Sequence, residues 1–260
     1  MKLLPGNIHI WYAPLDVTAD RLAHCRSLLV ASEMLRANRY KFTEHRRRFT
    51  VARATLRSII NYYTNMRPHD IKLYENANGK PMVSGRLQFN LSHSHELAVY
   101  AFTLDADIGV DVEQVRPIQN IDSLIRNYYS PIEQTYVLNR PKALLHERFL
   151  DVWVRKEAWI KAIGTGLSHS LTSFSVTCDE PGTVNGVADD WTLRHLNAPF
   201  GYIAAVAAPE WDWQITEMAP ELAHRHLESL RLSPTSPLDW GIGRSPEWLS
   251  PPVFAGALGW

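Results

Sequence analysis

The sequence predicts a protein of the α+β class, in which the order of a long helix followed by about three strands occurs twice. Two observations support this. Apolar residues recur at spacings of three and four over residues 44–63 and again over 142–163, as in an amphipathic helix. Short segments of strand character follow each helix, several of them alternating between apolar and polar residues. No residue-level repeat accompanies this coarse order.

The first half is expected to span residues 1–105. Thr43 is the predicted N-cap of the long helix, and Asn78-Gly79 is a turn signal. The remaining predicted elements of this half are strands over 8–13, 71–75, 86–92 and 96–104 and a helix over 18–30.

The second half is expected to span residues 106–219. The Ser-Pro-Ile-Glu run at 130–133 forms a capping box with proline at the first helical position, so a helix begins there. The other predicted elements are a strand over 108–114, a long helix over 142–163 that ends at Gly164 and Gly166, and strands near 171–178, 191–197 and 201–208. Residues 220–260 form a Pro- and Trp-rich tail, in which only 220–232 is compatible with a helix.

Composition excludes several classes of function. The 260 residues have a formal net charge of zero, so the chain as a whole lacks the basic character of a nucleic-acid or anionic-membrane binder. Cys25 and Cys178 fit no metal spacing or redox motif, which favours buried thiols in a reducing compartment. Without a signal-peptide pattern or a run of ~18 apolar residues, the protein is expected to be soluble and cytoplasmic.

One segment, residues 36–57, is strongly basic despite the neutral total. Two interpretations stay open: a solvated helix face, or a surface for an anionic ligand or an acidic protein. Its cationic residues are Arg36, Arg39, Lys41, Arg46, Arg47, Arg48, Arg53 and Arg57.

Three carboxylates and a lysine form the pattern with the clearest chemistry. Asp111 and Glu113 alternate on a predicted strand and therefore project from one face. Glu157 and Lys161 are four residues apart on a predicted helix and are neighbours on its surface. Mg²⁺ prefers hard oxygen ligands and completes its shell with water and phosphate oxygens, and lysine supplies positive charge for a phosphate. The pattern therefore indicates a Mg²⁺ site that handles a phosphate ester.

Four sequence blocks carry a resemblance to a known family. The family patterns G-[VI]-D-x-E and W-[ST]-x-K-E-[SA]-x-x-K match residues 109–113 and 153–161, and Gly-Lys-Pro at 79–81 and Phe-Asn-Leu-Ser-His-Ser at 89–94 match two upstream blocks. The chain resembles the 4′-phosphopantetheinyl transferases of the surfactin type, the larger branch of that superfamily. Val154 stands where the family usually has Ser or Thr, and we expect this to alter packing and not chemistry.

The resemblance covers roughly residues 30–178 and implies a fold and an activity. The implied fold has two pseudo-symmetric α+β halves, each with a long helix on a small, mainly antiparallel sheet, and the active site between them. The implied reaction is the Mg²⁺-dependent transfer of 4′-phosphopantetheine from coenzyme A to a serine of an apo carrier protein, which releases adenosine 3′,5′-bisphosphate. Mn²⁺ is expected to replace Mg²⁺. A monomer is also implied, and the carrier, whether acyl, peptidyl or aryl, stays open.

By the same resemblance, particular residues receive roles. Asp111, Glu113 and Glu157 would bind the metal, with Glu113 acting directly or through water. Glu157, Lys161 and Asp111 would act in catalysis; the general base is Glu157, Asp111 or a water. Coenzyme A would contact Arg48, Lys80, Pro81, Ser92, His93 and Lys161, with Lys80 near the 3′-phosphate.

Each motif also has a simpler interpretation. Asp111 and Glu113 could be solvated strand residues, and Lys161 could merely pair with Glu157 for about 0.3–0.5 kcal/mol. His93 and His95 share a strand face but lack a third ligand nearby, so they do not make a zinc site. Two other functions stay open: a Mg²⁺-dependent nucleotide pyrophosphohydrolase, and a non-catalytic module that binds coenzyme A or a carrier.

Overall fold

The computed structural model describes residues 2–139, 141–166, 169–178, 182–186, 191–209 and 212–230. The first half begins with one strand and three helices and ends with four strands. In chain order these are β1 (Asn7–Pro14), α1 (Ala19–Ser27), α2 (Ala31–Arg39), α3 (Thr43–Thr64), β2 (Leu73–Glu75), β3 (Pro81–Val83), β4 (Leu87–Ser94) and β5 (Leu97–Leu104).

The second half begins with a strand, continues with three helices and returns to strands. Its elements are β6 (Gly109–Gln114), α4 (Ile121–Tyr128), α5 (Pro131–Leu138), α6 (Leu145–Ile163), β7 (Ser175–Val176), β8 (Gly182–Asn185), β9 (Trp191–Leu196) and β10 (Tyr202–Pro209). Two further elements, β11 (Gln214–Met218) and α7 (Pro220–Ser229), follow. The described helices include none that is long and apolar enough to cross a membrane.

Two mainly antiparallel sheets organise these elements. The first sheet has the order β11-β1-β5-β4 and the second has the order β6-β10-β9-β8-β7, while β2 and β3 form a small ladder. Helix α3 packs its apolar face on the first sheet, with Leu56 and Ile59 in one cluster with Trp11 and Phe102. Helix α6 packs on β6 and β10 of the second sheet. The predicted α+β class, with one long helix and one small sheet in each half, is therefore confirmed.

The chain returns to the first half near its described end. Strand β11 pairs in parallel with β1, and helix α7 packs on α3 and β1. Residues 214–218 thus join the first sheet, whereas the sequence analysis placed them in the second half. The physical reason is that β1 would otherwise leave its backbone unpaired along one edge. Residues 231–260, the rest of the predicted tail, lie outside the described residues.

Some elements differ from the sequence prediction. Helix α2 was not predicted because it buries only Glu33 and Ala37, so its apolar periodicity is weak. Helix α4 was also missed, and it starts after Asn120, which has φ 54° and makes no side-chain cap. Thr43 is not the N-cap of α3: Phe42 holds that position without a side-chain hydrogen bond. The predicted capping box of Ser130 is confirmed at the start of α5.

The two halves meet where β4 lies beside β6. Val110 N donates to Asn90 Oδ1 at 2.9 Å, and Gln114 N donates to Ser94 Oγ at 3.2 Å. Helix α6 crosses β6 closely, because a Cβ added at Gly109 would lie 1.9 Å from the carbonyl oxygen of Ala158. A glycine at 109 is therefore required for α6 to approach the strand that carries the two carboxylates.

Candidate active site

The two carboxylates of β6 lie on one face of the strand, as strand alternation predicts. Asp111 and Glu113 are 3% and 8% exposed. Ser92 Oγ donates to Asp111 Oδ1 at 2.6 Å, and Ser94 Oγ donates to Glu113 Oε2 at 2.7 Å. Each carboxylate of the second half therefore has a serine partner in the first half. This burial and pairing rule out the interpretation of solvated strand residues.

Lys161, from the last turn of α6, joins the same cluster. Its Nζ lies 2.5 Å from Asp111 Oδ1 and donates to Ser92 Oγ at 2.8 Å. Burial alone would lower the pKa of this ammonium, but the charges of Asp111 and Glu157 raise it above its ordinary value. Lys161 is therefore cationic and binds across the interface between the halves, which goes beyond a pair with Glu157 on one helix.

Negative charge accumulates around Asp111. Burial raises the pKa of Glu113 to about 7, and the nearby Asp111 carboxylate adds to this effect. Burial likewise raises the pKa of Glu157 to about 7, where Lys161 opposes the shift and Asp111 increases it. Carboxyl groups whose ionised form is disfavoured in this way attract a cation.

The donor set fits a divalent ion in part. Asp111 Oδ2 is buried and has no hydrogen-bond partner among the described residues, although a buried carboxylate oxygen normally has one. Over the described parts of the chain, no three His, Cys, Asp or Glu side chains are grouped closely enough to hold a metal by themselves. Mg²⁺ commonly takes one or two carboxylates and fills its octahedron with water and phosphate oxygens. The residues present therefore fit Mg²⁺ together with a phosphate ligand.

His93 lies between the two serines on β4. Burial, together with smaller contributions from the positive charges of Lys161 and Arg48 and from His45, lowers the pKa of its imidazole to about 3. His93 is therefore neutral near pH 7, and it could contact a ligand as a hydrogen-bond donor or acceptor but not as a cation. His95, in the following turn, is exposed.

Arg48 already has a partner in the structure. Its Nε and Nη2 donate to Glu96 Oε1 at 3.1 Å and 2.7 Å, and Arg47 Nη2 donates to the same oxygen at 2.9 Å. Glu96 follows the strand of His93, so these arginines are held beside the residues predicted to contact coenzyme A. A phosphate at this position would have to share Arg48 with Glu96.

Lys80 contacts the C-terminal end of α6, and Pro81 follows it as the first residue of β3. The ammonium of Lys80 donates to the carbonyl oxygen of Ala162 at 2.7 Å and lies 3.8 Å from Asp107 Oδ1. A contact between Lys80 and the 3′-phosphate stays a prediction. The hydrogen bond from Lys80 to the end of α6 is a further contact, which the sequence did not reveal.

Sequence reasoning gave no role to several residues that hold the site. Asn90 and Ser94 lie two residues before and after Ser92 on β4, on the same face of the strand. Strand periodicity could therefore have identified them. A buried ion pair was also missed: Lys156 Nζ lies 2.8 Å from Glu133 Oε1 and donates to the carbonyl oxygens of Leu171 and Phe174 at 2.8 Å each. This pair attaches α6 to α5. Lys156 belongs to the 153–161 block and Glu133 to the 130–133 capping box, but neither pattern indicates that the two residues pair.

Known proteins share the sequence of both halves. A family model described as the 4′-phosphopantetheinyl transferase superfamily matches residues 107–207, and one described as 4′-phosphopantetheinyl transferase, N-terminal, matches residues 16–104. The 4′-phosphopantetheinyl transferase HetI of Nostoc sp. is 35% identical over 82% of this chain and 92% of that protein. The chain belongs to the 4′-phosphopantetheinyl transferase superfamily.

Similarity to Sfp places this phosphopantetheinyl transferase with the surfactin branch, as the resemblance predicts. The 4′-phosphopantetheinyl transferase Sfp of Bacillus subtilis strain 168 is 30% identical over 72% of the chain and 85% of that protein. A solved holo-(acyl-carrier-protein) synthase from Bacillus anthracis, in complex with CoA (3′,5′-ADP), is 20% identical over 40% of this chain and 95% of that chain, with a TM-score of 0.35.

Proposed function

We propose that this transferase moves 4′-phosphopantetheine from coenzyme A to a serine hydroxyl of an apo carrier protein in a Mg²⁺-dependent reaction. The serine oxygen forms a bond to the β-phosphorus, and the bond from that phosphorus to the oxygen bridging to the α-phosphate breaks. The electron pair leaves with adenosine 3′,5′-bisphosphate. The observation that carries the proposal is the Lys161 ammonium held between Asp111 and Ser92. It lies beside a buried carboxylate oxygen, Asp111 Oδ2, that has no hydrogen-bond partner in the described part of the chain.

Lys161 acts on the leaving group. Its charge is maintained by Asp111 and Glu157, and Asp111 and Ser92 fix the position of its Nζ. Because charge develops on the α-phosphate as the bond breaks, an ammonium placed beforehand stabilises the transition state more than the bound substrate. Lys161 also carries the proton that a departing phosphate oxygen can receive.

Asp111 and Glu157 would hold the Mg²⁺, and Glu113 would bind it directly or through water. The bound ion would supply charge neutralisation at the pyrophosphate. The proton of the attacking serine passes to Glu157, to Asp111 or to a water. The serines of β4 orient the carboxylates, since Ser92 and Ser94 each donate to one of them.

The nucleotide end of coenzyme A would contact residues of the first half. Arg48 supplies a cation near the neutral imidazole of His93, and Ser92, which precedes His93 on β4, accepts from Lys161. Lys80 and Pro81 would border the nucleotide. These roles are supported by the match of residues 79–81 and 89–94 to the family motifs.

The partner would be an apo carrier protein of the acyl, peptidyl or aryl type, as used in fatty-acid, polyketide or nonribosomal peptide synthesis. We also propose that the protein acts as a monomer in the cytoplasm.

One experiment separates the proposed function from its alternatives. The protein is incubated with coenzyme A, Mg²⁺ and several apo carrier proteins, and the intact mass of each carrier is measured. A mass increase of one phosphopantetheinyl group on serine is the expected result. Cleavage of coenzyme A without modification of any carrier would instead support a pyrophosphohydrolase. Binding of coenzyme A without either reaction would support a non-catalytic module.

A further inference from the structure

Residues 76–80, here named the 76–80 turn, form a compact loop between β2 and β3. Asn76 Oδ1 accepts from the backbone amides of Asn78 and Lys80 at 2.9 Å each. Asn76 N donates to the carbonyl oxygen of Lys80 at 3.0 Å, and Gly79 adopts φ 85°, which glycine alone adopts without strain. The turn is therefore held in one shape by its own backbone and Asn76.

Three side chains of this turn donate to the end of α6. Asn76 Nδ2 and Asn78 Nδ2 donate to the carbonyl oxygen of Gly164 at 3.1 Å and 2.8 Å. Lys80 Nζ donates to the carbonyl oxygen of Ala162 at 2.7 Å. The last carbonyl groups of a helix have no partner within the helix, and positive charge is favourable there. The 76–80 turn thus caps α6 from the other half of the protein.

The end of α6 is shaped to receive these donors. Gly164, its C-cap, has φ 67° and an added Cβ would lie 2.8 Å from Asn76 Nδ2 and 3.3 Å from Lys80 Cδ. A larger residue at 164 would therefore be strained and would displace the cap. Lys80 is 13% exposed along its side chain, so its ammonium is enclosed at this contact.

We infer that Asn76, Asn78 and Lys80 are positioning residues that act through α6 on Lys161, an inference that rests on the proposed function. Ala162, whose carbonyl accepts from Lys80, directly follows Lys161. The Lys161 ammonium lies 2.5 Å from Asp111, and it keeps that position only while the last turn of α6 keeps its place. Loosening the cap therefore lowers the rate of the chemical step and leaves substrate binding largely intact.

This role makes a different prediction from a 3′-phosphate contact by Lys80. Loss of a phosphate contact would raise KM for coenzyme A and reduce the preference for coenzyme A over dephospho-coenzyme A. Loss of the cap would lower kcat and increase opening of the α6 end, with that preference unchanged. Asn78 tests the cap without touching Lys80, because its side chain donates to Gly164 alone among the hydrogen bonds described for it.

The experiment compares Asn78→Asp, Lys80→Met and Lys80→Arg with the wild type. Asn78→Asp keeps the shape but turns a donor into an acceptor beside a carbonyl, and Lys80→Arg keeps a cationic donor. Asn127→Asp is the matched control, since Asn127 Nδ2 donates only to Ser123 Oγ within α4 among its described bonds. For each protein, kcat and KM are measured with both ligands, and hydrogen exchange is followed by mass spectrometry in the peptide covering 158–166.

The expected result is faster exchange at 158–166 and a kcat lowered by about two- to tenfold in Asn78→Asp and by about tenfold or more in Lys80→Met. KM for coenzyme A should stay within about twofold in Asn78→Asp, Lys80→Arg should recover most of the rate lost in Lys80→Met, and Asn127→Asp should match the wild type. Unchanged exchange, or faster exchange with unchanged kcat, would overturn the inference, as would a lost preference for coenzyme A in Lys80→Met with normal kcat. If the wild type modifies no carrier, the proposed function and the positioning role fail together, while the exchange data still decide whether the cap exists.

Discussion

Lys161 Nζ lies 2.5 Å from Asp111 Oδ1, which joins the last turn of α6 to the middle of β6. The same ammonium donates to Ser92 Oγ, so one side chain connects both sheets and the long helix of the second half. The neighbouring carboxylates keep this ammonium charged although burial disfavours its charge. The contact uses Asp111 Oδ1, and Asp111 Oδ2 has no hydrogen-bond partner among the described residues. The proposed chemistry depends on this arrangement.

Transfer is expected to require a divalent ion and to continue when Mn²⁺ replaces Mg²⁺, because both accept oxygen ligands in octahedral geometry. Activity should disappear in excess EDTA and return when Mg²⁺ is added in excess of the chelator. Binding of Mn²⁺, followed by electron paramagnetic resonance, should weaken in Asp111→Asn. Full turnover in excess EDTA would refute the metal role.

Glu157→Gln is expected to lower kcat by about 10²-fold or more, because it removes the charge of a metal ligand or base and keeps the size of the side chain. The midpoint of thermal unfolding should not fall. Glu147→Gln, an exposed change in the first turn of the same helix, serves as the control and should retain wild-type kinetics. Turnover of Glu157→Gln within a few-fold of the wild type would show that Glu157 is neither a metal ligand nor the general base.

Lys156→Met is expected to reduce the free energy of unfolding by about 3–5 kcal/mol, because it leaves Glu133 as an uncompensated buried charge. The double variant Lys156→Met/Glu133→Gln should lose less free energy of unfolding than the sum of the losses in Lys156→Met and Glu133→Gln. Breaking the pair of Arg67 and Asp70 by Arg67→Met should reduce the free energy of unfolding much less, because that pair is exposed to solvent. Urea unfolding is measured for the wild type, for Lys156→Met, Glu133→Gln and their double variant, and for Arg67→Met. Equal losses of stability from the buried and exposed pairs would contradict the prediction.

Reversal of Arg46 and Arg47 to Glu is expected to raise KM for an acidic carrier, with a penalty that shrinks at high salt. Arg47 is 24% exposed along its side chain and already pairs with Asp16 and Glu96, so an acidic carrier would compete with these carboxylates for it. Arg86→Glu, at an exposed pair on another surface, is the control. An unchanged KM at low ionic strength would support the other interpretation, in which these arginines belong to a solvated helix face and do not contact the carrier.

Dephospho-coenzyme A, which lacks the 3′-phosphate, is expected to bind about ten- to a hundredfold more weakly than coenzyme A, as for the loss of one charge-assisted hydrogen bond. In calorimetric titrations, Arg48→Ala and His93→Ala should each reduce the difference in affinity between coenzyme A and dephospho-coenzyme A. Glu96→Gln should widen it, because it releases Arg48 from its carboxylate partner. Equal binding of both ligands by the wild type would show that the nucleotide end is assigned to the wrong residues.

Much of the fold follows from local patterns in the chain. Helix α6, strands β4 to β6 and the capping box at Ser130 were predicted because each depends on periodicity or on a side chain bonding a few residues away. Helix α2 escaped prediction because Glu33, one of the few residues it buries, is charged. Its carboxylate is held by Arg57, a partner 24 positions away.

From the chain alone, the candidate residues for the chemistry are Asp111 and Glu113 on one strand face, and Glu157 and Lys161 on one helix face. Both placements follow from fixed backbone periods that need no knowledge of the rest of the fold. Other contacts became evident only in three dimensions: Lys161 binds Asp111, Ser92 and Ser94 donate to the carboxylates, β11 returns to β1, and Lys80 caps α6. These contacts join residues that are far apart in sequence, and their geometry depends on how two sheets and a helix pack together, which no local pattern encodes.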